Sequence, residues 1–153
     1  MLTCKPFTKY EPSNFFVNIS QLIIRMQTSA TTPLLILVAG PYRSGTNDDP
    51  ALIAANVKAM TDTALELYRL GHMPVLGEWF ALPLIEAAGS KQIGDAIFNE
   101  LFHPVAVKLI DHCDAVLRIG GPSAGADEMV NTGKAKGKLI FMEMKEIPQL
   151  NNK

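Results

Sequence analysis

The feature that most constrains this chain is its alternation of short apolar runs with longer segments of helical period. The run LLILVAG, residues 34–40, is apolar throughout and ends at Gly-Pro, as in a strand buried on both faces. Over residues 51–70, apolar side chains recur three and four positions apart, which predicts an amphipathic helix. An Asp-Asp-Pro triplet precedes this helix and Gly71 follows it, as expected for its two ends.

The same alternation continues towards the C-terminus. HMPVLGEWF predicts a short strand running into a loop, and residues 95–113 have helical period with a break or kink at Pro104. AVLRIGG predicts a third strand, residues 125–136 a third helix and KLIFMEM a fourth strand. The sequence therefore predicts an α/β fold, a single-domain Rossmann- or flavodoxin-like three-layer sandwich with a parallel sheet and helices on both faces.

The two ends of the chain differ from this pattern. Residues 1–32 mix prolines, polar residues and one apolar patch at 15–24, and predict an N-terminal extension and linker in which Met26 is a candidate start codon. The α/β domain is predicted over residues 33–145. The last segment, KEIPQLNNK, begins at residue 145, where the domain ends, and predicts a solvated C-terminal tail over residues 146–153.

Composition narrows the class of partner. Of 153 residues, 48% are hydrophobic and 19% charged, which is typical of a compact globular protein. The net charge of -1 gives no electrostatic argument for a nucleic acid or a membrane surface as partner. Cys4 and Cys113 are too far apart in the sequence to form a framework, which favours a reducing, cytoplasmic setting, and no run is long enough to span a bilayer. The scattered histidines predict no metal site.

Three segments are predicted to follow strand ends, where parallel sheets bind ligands: GPYRSGTNDD, GEWFALP and GGPSAGADE. Neither the P-loop pattern nor GxGxxG after the first strand is present, so we expect neither a Walker-type ATPase nor a dinucleotide oxidoreductase, and no cofactor. In the first segment, Gly40 ends the strand, Tyr42 can stack on or hydrogen-bond a ring, and Arg43 can pair with a phosphate or carboxylate. The alternative is a surface turn with an exposed arginine.

The other two segments carry acids. Glu78 and Trp79 can combine a polar group with a stacking surface, although a buried core role is the alternative for the single tryptophan. In RIGGPSAGADEM, a glycine-rich turn and the start of a helix can hold an anion, with Ser123 donating its hydroxyl. The alternative is plain helix initiation, with Ser123 as N-cap and Asp127 and Glu128 favoured by the helix dipole.

The order of these motifs resembles the nucleoside 2-deoxyribosyltransferase-like superfamily. The resemblance covers roughly residues 34–142 and rests on LVAGPYRSG, NVKAM, LGHMPV, DHCDAVLRI and SAGADEMVNTGKAKGK. It is greatest to uncharacterised small bacterial members. Characterised relatives are the transferases and the 2′-deoxynucleoside 5′-phosphate N-hydrolases, which cut the bond between base and deoxyribose. The resemblance implies a small-molecule nucleoside or nucleotide as partner, and a homo-oligomer, for which the patch at 15–24 is a candidate interface.

The resemblance also implies roles for individual residues. In the family a helix-borne glutamate stabilises or attacks the sugar carbon, and Glu128 is the nearest candidate here, with Asp127 second. The usual pattern places that glutamate at the position of Met129, about 100° further round the helix. Relatives also often carry an aspartate where this chain reads HPVAV, with only His103 and Glu100 nearby. Implied ligand contacts are Tyr42, Arg43, Ser123 and Gly125.

Two hypotheses of different class follow. The first is an N-glycosidase or deoxyribosyltransferase-like enzyme that uses a helix-borne carboxylate. The second is a non-catalytic module of the same fold that senses a nucleotide-derived ligand. A third interpretation, a resemblance to cytokinin-activating phosphoribohydrolases, compares their GGxGTxxE motif with GGPSAGADE, but alanine replaces the threonine and the acid is again one residue early.

Overall fold

A computed structural model describes residues 32–150, and these form one α/β unit. Residues 1–31 of the extension predicted over 1–32, with its apolar patch and Met26, lie outside the described residues. The strands are β1 (Leu35–Ala39), β2 (Met73–Val75), β3 (Ala115–Arg118) and β4 (Leu139–Phe141). The helices are α1 (Pro50–Arg69), α2 (Gly77–Ala87), α3 (Ala96–His112) and α4 (Ala124–Ala135), followed by a 3-10 turn (Met144–Glu146).

The sheet is parallel throughout, with strand order β2-β1-β3-β4, which confirms the predicted fold class. The chain moves from β1 to one side to form β2, then crosses back over β1 to form β3. The strand order therefore reverses between β1 and β3, where the connections leave in opposite directions. Open α/β sheets bind ligands at this switch point, beyond the carboxyl ends of the two strands.

Helices cover both faces of the sheet. On one face, Ile36 and Val38 of β1 pack with α1 residues such as Met60 and Leu67. On the other face, Leu37 and Ala39 pack with residues of α3 and α4. The alternation arises because successive side chains of a strand point to opposite faces. The α2 helix packs on α3 through a third cluster that includes Ala81, Ile85 and Phe98.

The ends of α1 form as the sequence predicts. Asp49 is the N-cap, and its carboxylate accepts a hydrogen bond from the Ala51 backbone N–H at 2.8 Å. Pro50 occupies the first turn, where its missing N–H costs nothing. Gly71 follows the helix with φ of +97°, a conformation that glycine adopts without strain.

The predictions of a break at Pro104 and of a loop after β2 are both wrong. Pro104 lies inside α3, which runs unbroken from Ala96 to His112. Glu100, whose carbonyl lacks the proline N–H as donor, is exposed, so water can replace the missing bond. The segment GEWFALP is not a loop but the start of α2, because Ala81 and Ile85 pack against α3 and stabilise a helix that contains Pro83.

The solvated C-terminal tail is also wrong for part of its predicted length. Ile147 and Leu150 are 5% and 8% exposed, and the Leu150 N–H donates to the Leu70 carbonyl at 2.8 Å. The Pro148 carbonyl lies 2.7 Å from Nε2 of the buried His72. Ile147 belongs to the core cluster on the α1 face of the sheet, and Leu150 lies against Gly71; the composition of this segment did not predict these contacts.

Candidate functional site

A cavity of about 140 Å³ lies at the switch point of the sheet. Its floor is the carboxyl end of β1, and its sides are the β1–α1 loop, the first turns of α2 and α4, and the middle of α3. The polar side chains that line it are Tyr42, Arg43, Ser44, Glu78, Asn99, His103 and Ser123. Of the predicted ligand-binding residues, the structure therefore brings together Gly40, Tyr42, Arg43, Glu78, Ser123 and Gly125.

One side of the cavity is aromatic. The rings of Tyr42 and Phe102 have centroids 4.9 Å apart, and Phe102 stacks on Phe98 at 4.7 Å with an interplanar angle of 19°. This aromatic wall, Tyr42, Phe98 and Phe102, comes from the β1–α1 loop and from successive turns of α3. Stacked aromatic side chains of this kind form a flat apolar surface against which a planar ring of a ligand can lie.

The β1–α1 loop is fixed by bonds within itself and from α1. Asn56 Nδ2 donates to the Tyr42 carbonyl at 3.0 Å, so α1 holds the loop at the point where Tyr42 enters the cavity. Arg43 donates from Nε and Nη2 to both carboxylate oxygens of Asp48, at 2.7 and 2.8 Å. Asp48 has φ of +60°, which turns the chain back towards Arg43. This pair uses two of the five guanidinium N–H groups and leaves the others free to bind an anion.

Glu78 is the second residue of α2 and lies half-buried in the cavity wall. Burial raises the pKa of its carboxyl group, because low polarity disfavours the charged form. Burial also raises the pKa of Tyr42, and the negative charge of Glu78 raises it further. Trp79, which the sequence grouped with Glu78, is absent from the cavity lining and is 45% exposed, so it is neither a wall of the site nor a core residue.

The glycine-rich turn after β3 is organised by Arg118. The side chain of Arg118 is 9% exposed and donates to the carbonyls of Ile119 and Gly120, and to that of Gly121 at 2.7 Å. Its Nε donates to Asp127 Oδ1 at 2.8 Å. Because the Asp127 carboxylate pairs with this buried guanidinium, it helps to hold Arg118, and thereby the turn, in place.

The start of α4 places Ser123 at the cavity and turns the acids away from it. Ser123 is the N-cap, and its hydroxyl oxygen accepts the Ala126 N–H at 3.3 Å, which leaves its hydroxyl hydrogen free to donate. Asp127 and Glu128 are exposed and do not line the cavity. Met129, 6% exposed, lines it instead. Glu128 is therefore one position before Met129, the residue of α4 that lines the cavity.

His103 connects Glu128 to the cavity. His103 lines the cavity from α3, and its Nδ1 lies 3.9 Å from Glu128 Oε2. The ring packs so closely on α4 that a Cβ added at Gly125 would lie 2.6 Å from His103 Cε1. Sequence reasoning named His103 only as a neighbour and missed Phe98, Asn99 and Phe102, because nothing in the helical period of α3 marks the face that meets the cavity.

Comparison with models of known protein families finds no match to this chain, and comparison with curated proteins finds none at a significant level. Between residues 32 and 150, no three His, Cys, Asp or Glu side chains are grouped closely enough to hold a metal ion. In the same part of the chain, none of the helices has the length and apolar character needed to cross a membrane.

Proposed function

We propose that this protein binds a nucleoside or nucleotide in the cavity at the switch point and does not cleave it through α4. The binding part follows the resemblance to the nucleoside 2-deoxyribosyltransferase-like superfamily. The absence of cleavage is inferred from Met129. This residue lies in the cavity wall at the position where the usual family pattern has a glutamate. A thioether cannot attack or stabilise a positively charged sugar carbon as a carboxylate does.

The size and lining of the cavity fit one flat ring of such a ligand. A cavity of about 150 Å³ accepts benzene in an engineered protein, so the 140 Å³ found here holds one ring and leaves the rest of a nucleotide at the mouth. The ring would lie against the aromatic wall. Arg43, 38% exposed, is placed to pair with a phosphate there, and Ser123 can donate its hydroxyl to the same group.

The second candidate is the N-glycosidase or deoxyribosyltransferase-like enzyme. The observation that favours it is the 3.9 Å approach of Glu128 to His103, since His103 lines the cavity and a rotation of the first turn of α4 would bring the carboxylate to the ligand. In the hydrolytic reaction the C1′–N bond breaks with its electron pair on the base. Water supplies hydroxyl to C1′ and a proton to the base.

One experiment separates the two candidates. Deoxynucleoside monophosphates are incubated with the wild type, Glu128→Gln and Asp127→Asn, free base is measured by HPLC, and thermal unfolding is followed in parallel with inorganic phosphate as control. For the binding function we expect a thermal shift with nucleotide, worth about 2.7 kcal/mol at 100 Kd, and no free base.

Other results of this experiment would overturn the proposal. Release of free base that Glu128→Gln abolishes supports the enzyme and excludes the non-catalytic module. A shift with phosphate alone that equals the shift with nucleotide excludes recognition of the nucleoside. The absence of both shift and release contradicts both candidates.

We also propose a cytoplasmic homo-oligomer. A second copy would cover the exposed apolar side chains of α2, where Trp79, Phe80 and Leu84 are 45%, 50% and 51% exposed. The small volume of the cavity supports this, because a second subunit beside α2 can enclose the part of the ligand that one chain leaves open. A monomer in sedimentation velocity, with and without nucleotide, would contradict it.

A further inference from the structure

Within residues 32–150, Glu78 is the one acidic side chain that lines the cavity. Asp127 is paired with Arg118, and Glu128 lies outside the lining. In this described part, no hydrogen bond or ion pair joins the Glu78 carboxylate to another side chain, and the one group that lowers its pKa is its own backbone N–H. A carboxylate in this situation has acceptor capacity left for a ligand.

Glu78, from α2, and Arg43, from the β1–α1 loop, line the cavity from different elements, and among the described residues Arg43 pairs with Asp48 rather than with Glu78. The pKa of Tyr42 is raised by the nearby charge of Glu78 and lowered by that of Arg43, so both groups are close to the phenol. The remaining titratable group of the lining is His103 on α3. The phosphate of a nucleotide is attracted by Arg43 and repelled by Glu78, which favours an orientation with the phosphate at Arg43 and the base at Glu78.

We propose that Glu78 determines base specificity, its carboxylate accepting the paired N–H donors on the edge of a guanine ring that lies against the aromatic wall. This inference rests on the proposed function. It names the ligand class as a nucleotide whose base presents two adjacent N–H donors.

The chemistry of the bases distinguishes guanine at this position. Guanine presents N1–H and the 2-amino group side by side, so each donor meets one carboxylate oxygen, whereas hypoxanthine lacks the 2-amino group. Adenine presents an acceptor, N1, beside its 6-amino donor, and an ionised carboxylate cannot satisfy that acceptor. Burial raises the pKa of Glu78, and two N–H donors would compensate the desolvation of its charged form.

The test compares three probes and three proteins by calorimetric titration. The probes are the deoxynucleoside monophosphates of guanine, hypoxanthine and adenine. The proteins are the wild type, Glu78→Gln and the matched control Glu86→Gln, an exposed glutamate on the same helix. We expect the wild type to bind the guanine nucleotide more tightly than the other two, and Glu78→Gln to weaken that binding about 10-fold to 100-fold.

A change of preference separates recognition from a structural role. A glutamine amide both donates and accepts, so Glu78→Gln should bind the adenine nucleotide at least as well as the wild type does. Glu86→Gln should leave all affinities unchanged. If Glu78→Gln weakens the binding of all three nucleotides equally, or leaves all three affinities unchanged, this inference is overturned. The proposal that the protein binds a nucleotide would still stand. No binding of any probe by the wild type overturns the proposed function as well.

Discussion

At the scale of single residues, two glycines on either side of Ser123 differ in what surrounds them. A Cβ at Gly121 would meet no atom within 4 Å, whereas one at Gly125 would lie 2.6 Å from His103 Cε1. Gly125 therefore allows α3 and α4 to approach at the cavity, and its lack of a side chain sets the position of the His103 ring.

This difference predicts the effect of Gly125→Ala. The methyl group would displace His103, whose side chain is 47% exposed and can swing outward, so the free energy of unfolding should change by less than about 1 kcal/mol. The cavity would change shape, and the thermal shift produced by nucleotide should become smaller. Gly121→Ala is the control and should leave both measurements as in the wild type; an equal loss of the nucleotide shift in both variants would contradict this account.

The local environment of single residues also explains which of the predicted site residues line the cavity and which do not. Local turn chemistry marked Tyr42, Arg43 and Ser123, and all three line the cavity. Trp79 follows Glu78 in a helix rather than in a loop, so the two side chains point about 100° apart and only Glu78 enters the cavity. The same rotation separates Glu128 from Met129.

Among the elements, α3 supplies more residues to the cavity lining than any other, and Asp95 fixes where this helix begins. The Asp95 carboxylate accepts hydrogen bonds from the N–H groups of Phe98 at 2.7 Å and Lys91 at 2.8 Å, and from the Ser90 hydroxyl at 2.9 Å. One side chain thereby caps the helix and shapes the loop before it. The position of Phe98 in the aromatic wall follows from this cap.

The cap makes stability dependent on acid pH. The Phe98 N–H and then the Lys91 N–H lower the pKa of Asp95 from 3.8 to about 2. Because the folded-state pKa is depressed, the contribution is present above the unfolded value of 3.8 and is lost as the pH falls towards 2. We expect Asp95→Asn to lower Tm at neutral pH and to flatten the fall in Tm across this window. Asp62→Asn on α1 is the control; parallel Tm curves for the wild type and Asp95→Asn would exclude the effect.

Sequence periodicity was sufficient for α1 and for the strands, where apolar spacing and end signals agree, but not for α2. The α2 helix is short, contains Pro83, and owes its stability to packing against α3, a contact that the local sequence does not encode. The aromatic wall was missed for the same reason. Phe98 and Phe102 follow the helical period of α3, and only the tertiary arrangement decides that they meet Tyr42.

For the molecule as a whole, His72 joins parts that are distant in the sequence. Its Nδ1 accepts the Leu34 N–H at 3.2 Å, before β1, and its Nε2 lies 2.7 Å from the Pro148 carbonyl near the C-terminal end. The acceptor role of Nδ1 assigns the proton to Nε2, which donates to Pro148. The imidazole, 2% exposed, thus ties the start of the sheet to the segment that closes its α1 face.

Removing this connection should destabilise the whole fold. His72→Phe leaves the Leu34 N–H and the Pro148 carbonyl without their partner, and we expect the free energy of unfolding in urea to fall by about 2–4 kcal/mol. Met73→Gln, a neighbouring change at a side chain 58% exposed, should cost less than about 0.5 kcal/mol. Equal urea midpoints for the two variants would show that the connection contributes nothing.

The bonds of Arg118 have a consequence for how any ligand is received. Three consecutive carbonyls of the β3–α4 turn are held by one buried guanidinium. The β3–α4 turn is therefore preorganised. Its backbone has already lost the conformational entropy that an unconstrained glycine-rich segment would lose when a ligand binds. Adaptation to ligands of different shape is therefore left to the β1–α1 loop, where Arg43 can exchange its partner without disturbing the sheet.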